Sequence, residues 1–208
     1  MLDLSPSPAL APVPGLGLAP GRHGALDGPA GVSVTEMIPQ AVVSVAAREG
    51  GEAAISEALR QRFGVALPDV SKVTTAGTTQ IVWSGPQRWL IVSDDLTETG
   101  MRALIGDHGS ITDQTDSRVM LMVTGSRVRD ALAKGMPIDL HPSVFGPGCV
   151  AQTLVEHVGI MLWQLDAAPS YMLAFARSYA GSVWHWLEIS SAEFGLEHHP
   201  IRRLRSVG

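Results

Sequence analysis

Four places in this 208-residue chain combine residue types that could do chemistry. Asp139 and His141, within Asp139-Leu140-His141-Pro142, set a carboxylate near an imidazole, the pairing used in proton transfer. Asp113 and Asp116, within Thr112-Asp113-Gln114-Thr115-Asp116, could share a site. Cys149 follows Pro147-Gly148 and is the chain's one cysteine, hence its one thiol nucleophile. Glu197-His198-His199 comes nearest to a set of metal ligands. Each has a plainer reading. Loop carboxylates usually accept neighbouring backbone amides, and Arg118 stands ready to neutralise the Asp113/Asp116 pair. A reactive thiol needs an electropositive setting, yet no Lys or Arg lies within ten residues of Cys149 on either side. The Glu-His-His run falls in a polar end segment, where weak incidental metal affinity is all it offers.

Larger signatures are missing from the sequence. There is no G-x-G-x-x-G after a strand, no phosphate-binding G-x-x-x-x-G-K-[ST] loop, no H-E-x-x-H and no G-x-S-x-G turn. The expectation is a chain with no catalytic, cofactor-binding or metal-binding residues of its own. A net charge of −5 with two lysines, Lys72 and Lys134, opposes binding to nucleic acid or anionic membrane. No run of about 18 apolar residues is present, and the N-terminus lacks the basic-then-apolar plan of a secretory signal. A cytoplasmic location is the default expectation.

The elements that would position these residues follow from periodicity. Residues 1–31 alternate Pro, Ala, Gly and Leu without a helical or strand period and are expected to be an N-terminal tail, disordered in the isolated chain. The folded part is expected over 32–195, in halves of about 32–110 and 111–195, followed by a basic C-terminal tail, 196–208, carrying Arg202, Arg203 and Arg205. Residues 41–48 suit a strand. Ala54, Ile55, Ala58, Leu59 and Phe63 mark one face of a helix closed by Gly64. Strands at 79–83 and 88–93 flank a Ser84-Gly85-Pro86-Gln87 turn, and Thr97 caps a helix bearing Met101, Leu104 and Ile105. Another strand is expected at 110–116.

The second half repeats this order. Val119–Val123 is apolar on both faces, so it reads as a central strand. Ser126 then caps a helix ending at Gly135. Strands are expected at 153–158, 160–165 and 171–176, with Gly159 as one break, and Ser178 caps a last helix with Val183, Trp184, Trp186 and Leu187. That helix has a wide apolar face, suited to core packing or to cover by another subunit. The fold class is α+β, two strand–helix–strand–strand halves with antiparallel or mixed sheets and packed helices.

Four stretches, in order, resemble the gamma subunit family of heterotetrameric sarcosine oxidases. They are Trp83–Leu90 (Trp-Ser-Gly-Pro-Gln-Arg-Trp-Leu), Asp113–Arg118, Gly135–Pro142 with Phe145 following, and Arg177–Leu187. The resemblance implies a domain like the folate-binding domain of the glycine-cleavage T-protein. It also implies a non-catalytic role beside alpha, beta and delta subunits. In that family the partner subunits hold FAD, FMN, NAD, tetrahydrofolate and zinc, and the assembly demethylates sarcosine to glycine with hydrogen peroxide and formaldehyde or methylene-tetrahydrofolate. Trp83, Arg88, Trp89, Arg118, Arg177, Trp184 and Trp186 are the interface candidates under this reading, because buried aromatics and arginines dominate interface energies. Three alternatives stand beside it. One is the equivalent subunit of an oxidase for another N-methyl amino acid. Another is a free-standing folate-binding aminomethyltransferase-like enzyme. The last is an iron–sulphur maintenance protein, whose Lys-Gly-Cys-Tyr-x-Gly-Gln-Glu-like loop is only faintly matched by Pro147–Thr153.

Overall fold

A computed structural model describes residues 14–204. They form four layers: helices, a seven-stranded sheet, a five-stranded sheet, and helices again. The smaller sheet has the order β4-β5-β6-β3-β7 and is antiparallel throughout. Its strands are β3 (Ala41–Ala47), β4 (Val73–Ala76), β5 (Thr79–Gly85), β6 (Arg88–Ser93) and β7 (Gly109–Asp113). The larger sheet has the order β1-β12-β2-β8-β11-β10-β9. It comprises β1 (Gly21–His23), β2 (Val32–Met37), β8 (Arg118–Thr124), β9 (Val150–Val155), β10 (Val158–Asp166), β11 (Ser170–Ala176) and β12 (Leu196–Arg202). Only β12 and β2 run parallel. The α+β class and the antiparallel and mixed sheets expected from the sequence are present.

Alternation along the strands explains the layering, since successive side chains point to opposite faces. In β8, Val119, Leu121 and Val123 join the core beneath α3 (Val128–Ala133) and α4 (Ala180–Ser191). Met120, between them, faces the other sheet. In β6, Leu90 and Val92 face the larger sheet, whereas Trp89 and Ile91 face α1 (Glu52–Phe63) and α2 (Glu98–Ile105). Trp163 of β10 is fully buried between the sheets and donates its indole N–H to Gln80 Oε1 of β5 at 2.9 Å.

Several local signals act as the sequence suggests. Gly64 closes α1 in the left-handed conformation, φ 77°, and Thr97 Oγ1 caps α2 by accepting from the Gly100 amide at 3.2 Å. Other expectations are corrected. Neither Ser126 nor Ser178 caps a helix: the N-cap positions of α3 and α4 are Arg127 and Tyr179, and neither makes a side-chain cap bond. The β9–β10 turn lies at Glu156-His157, not Gly159, which pairs with Leu154 inside the ladder.

The division into halves is also redrawn. β2, at the start of the first half, pairs with β8 of the second, so the chain contributes one strand to the far sheet before building the near one. The tails shrink. Within 1–31, the stretch from residue 14 onward is fastened to the body: the Glu36 carboxylate, on a residue 3 % exposed, accepts from the Gly15 and Leu16 amides. Ala25 N donates to Ala192 O at 2.7 Å and Gly31 N to Phe194 O at 2.8 Å. Residues 196–202, expected as a basic tail, are β12, seated between β1 and β2. Both segments gain order from distant backbone partners, which no local period announces. Residues 1–13 of the N-terminal stretch, and Arg205, lie outside the described residues.

The close approach of α4 to the end of α3 rests on Gly135. A Cβ there would sit 2.2 Å from Trp186 Nε1 and 2.8 Å from Trp186 Cε2. Gly135→Ala is therefore expected to destabilise the chain by about 1–3 kcal/mol through overpacking. A urea denaturation midpoint equal to that of the unchanged protein would show that the indole has room to move.

Candidate partner interface

The seven interface candidates fall into three places. Trp83 and Trp89 are directly opposed across the β5–β6 hairpin, both on its α1 side. Trp89 is 2 % exposed, Trp83 half-buried. Arg88 is exposed at the start of β6 and makes no ion pair among the described residues.

Arg118 and Arg177 meet at a corner between the sheets. The Arg118 Nε donates to Gln114 Oε1, and burial pulls its guanidinium below the usual arginine range. Arg177 Nε donates to Asp116 O at 2.6 Å, and its amide to Ser117 O at 2.8 Å. Asp113 Oδ1 accepts from the Thr115 amide at 2.9 Å and hydroxyl at 2.6 Å, and Thr115 Oγ1 accepts from Val42 N at 3.0 Å. The Asp113–Arg118 stretch is thus a joint carrying the chain from β7 to β8. The Asp113 carboxylate holds local backbone, as the plainer reading expects, and Asp116 contributes its backbone carbonyl to Arg177.

Trp184 and Trp186 are 8 % and 6 % exposed. Two residues apart, they leave α4 on opposite flanks. Trp186 packs against Gly135. Trp184 lies between His23 of β1, edge-on with ring centroids at 5.4 Å, and His198 of β12, at 5.1 Å. His23 Nδ1 is 2.7 Å from Glu188 Oε1 of α4. The wide apolar face of α4 is covered by the chain's own ends and by α3. Trp89, Trp184 and Trp186 therefore stabilise this chain's interior rather than reach out of it. The exposed apolar residues that sequence reasoning missed include Val70, 69 % exposed, Leu26, Val144, Ile189 on α4, 60 %, and Tyr179. A surface side chain leaves no periodic signature, and only Ile189, off the buried stripe of α4, could have been found by helical spacing.

The other chemical candidates are settled locally. Asp139 Oδ1 accepts from the His141 amide at 2.8 Å, and His141 Nδ1 lies 2.7 Å from Ser143 Oγ, so this pair holds its own loop. His198, expected in a polar tail, is 4 % exposed, with Nδ1 3.2 Å from Ala19 O. Cys149 is corrected too. Lys72, 77 positions away in sequence, places Nζ 3.3 Å from its Sγ, because Val73 N–Gly148 O and Val150 N–Ser71 O bonds tie the two segments together. Among the described residues, no three or more His, Cys, Asp or Glu side chains gather as metal ligands would, and no helix is long and apolar enough to cross a membrane.

Comparison with known proteins follows the same lines. The model of the sarcosine oxidase, gamma subunit family matches residues 47–193. This chain belongs to that family. The gamma subunit of sarcosine oxidase from Corynebacterium sp. (strain P-1) is 30% identical over 153 residues, covering 71% of this chain and 73% of the relative. Its counterpart from Arthrobacter sp. is 30% identical over 149 residues, covering 69% and 71%. A chain of the heterotetrameric sarcosine oxidase from Corynebacterium sp. U-96 superposes with a TM-score of 0.70 at 26% identity, over 78% of this chain and 85% of that one. The glycine cleavage system aminomethyltransferase T from Bartonella henselae shares the fold at 11% identity, TM-score 0.59, over 48% of its length. All four stretches that carried the sequence resemblance lie inside the matched region.

Proposed function

We propose that this chain is a non-catalytic gamma subunit of a multi-subunit, flavin-dependent sarcosine oxidase. Its partners are alpha, beta and delta subunits in the cytoplasm, and FAD, FMN, NAD, tetrahydrofolate and zinc reside in those partners. The assembly oxidatively demethylates sarcosine to glycine, with hydrogen peroxide and formaldehyde or methylene-tetrahydrofolate as the other products. The observation that carries this reading is the superposition on a chain of a heterotetrameric sarcosine oxidase over 85% of that chain. The side chains support it: Asp113, Asp139, His141, Cys149 and His198, singled out for chemistry, each contact neighbouring backbone or a nearby side chain.

The test is co-expression with the genes that flank its own. A tag on this chain should recover a yellow complex that makes peroxide when sarcosine is added. Recovery of this chain alone, colourless and monodisperse, while the flavoprotein turns sarcosine over at full rate without it, contradicts the proposal.

A further inference from the structure

An open cleft of about 700 Å³ runs between the start of α1, the loop before β4 and the β5–β6 turn. Leu67, Pro68, Val70, Trp83, Pro86 and Trp89 supply its apolar surface. A surface this apolar on a soluble chain marks a contact site. Val70 has the highest exposure of the large hydrophobic side chains among the described residues. The polar lining is one-sided: the exposed carboxylates of Glu52 and Asp69 stand over the cleft, with Ser56 and Gln87, and no cationic side chain lines it.

One further feature adds hydrogen-bond donors. α1 begins beside the cleft at Glu52 and Ala53, and its N-cap, Gly51, offers no side chain to its first amides. Apolar rings and prolines, donors for carbonyl oxygens, and carboxylates for a cation together match an extended polypeptide better than an anion or a neutral ligand.

We propose that this cleft receives an extended segment of a partner subunit that carries an arginine or lysine among apolar residues. This rests on the subunit reading above and names the surface that reading leaves open. Charge selects the occupant. The chain's own proline-rich residues 1–13 contain Asp3 and no lysine, arginine or histidine, and residues 15 and 16 are bonded to Glu36 on β2, in the other sheet. Trp83, half-buried and flanked by Pro86, is the anchor; Glu52 and Asp69 read the cation.

The experiment uses the full chain co-expressed with its partner subunits, captured through a tag on a partner. Native mass spectrometry then reads how much of this chain is retained after washes of rising salt. Trp83→Ala and, separately, the double change Glu52→Lys with Asp69→Lys are each expected to lower retention about tenfold or more, the size of a hot-spot effect. The double change sits on exposed positions, so its thermal melt should match that of the unchanged chain, and Ile189→Ser on the opposite outer layer should leave retention as it is. Full retention of both cleft variants in an assembled complex overturns the cleft while sparing the subunit reading. A complex that never forms with the unchanged chain overturns both. A dimer of this chain that Trp83→Ala dissolves assigns the cleft to a second copy and overturns the partner segment.

Discussion

Trp163→Ala should cost this chain about 4 kcal/mol or more, a large share of the roughly 5–15 kcal/mol that holds a domain of this kind folded. Trp163 is fully buried among Val82, Leu90, Val92 and Met172, where the two sheets face each other. Removing it leaves a void that the strands around it cannot close without breaking ladders. It also leaves Gln80, 8 % exposed, without the indole N–H that its Oε1 accepts at 2.9 Å, and an orphaned buried acceptor adds roughly 1–3 kcal/mol. Trp163→Phe separates the two effects. It keeps much of the apolar contact, loses the hydrogen bond, and should cost about 1–2 kcal/mol. Urea denaturation followed by tryptophan fluorescence and far-ultraviolet circular dichroism measures both. A loss under about 1 kcal/mol for the alanine variant would mean that the sheets are not locked through this contact.

The second large effect concerns α4. Trp184→Ala and Trp186→Ala should each destabilise the chain by about 3–5 kcal/mol, and their effect on assembly should follow from lost folding. Trp184 ties α4 to His23 and His198, so its removal loosens β1 and β12 together. Trp186 fills the space that Gly135 leaves beside it. Phenylalanine at either position keeps an aromatic plug and should preserve both fold and assembly. The decisive comparison sets thermal melting of the isolated chain against retention in the complex. Alanine variants that melt like the unchanged chain yet fall out of the complex would restore these indoles as anchors for a partner.

The contrast between these two tryptophans and Trp83 shows where sequence reasoning stops. Periodicity located α1, the β5–β6 hairpin and β8, because each shows its period and turn chemistry within about fifteen residues. It also found the apolar width of α4, but width alone does not say what covers it. The cover is His23 and His198, on strands about 175 positions apart. β12 hides its burial behind polar letters: Leu196 and His198 point inward, Glu197 and His199 are half-buried outside, and an inward histidine breaks the apolar alternation that marks a strand. The Lys72–Cys149 contact leaves no local signal for the same reason, since the cation lies 77 positions from the thiol in sequence. The Asp113–Arg118 joint was legible as local backbone bonding, and its role between two sheets was not.

The central claim is membership of a sarcosine-oxidising assembly, and native mass spectrometry of the complex captured through the flavin-bearing partner tests it most directly. The account predicts one copy of this chain for each copy of every other subunit, retained through gel filtration, in a particle that forms peroxide from sarcosine. A fully active particle whose mass has no place for this chain would contradict it.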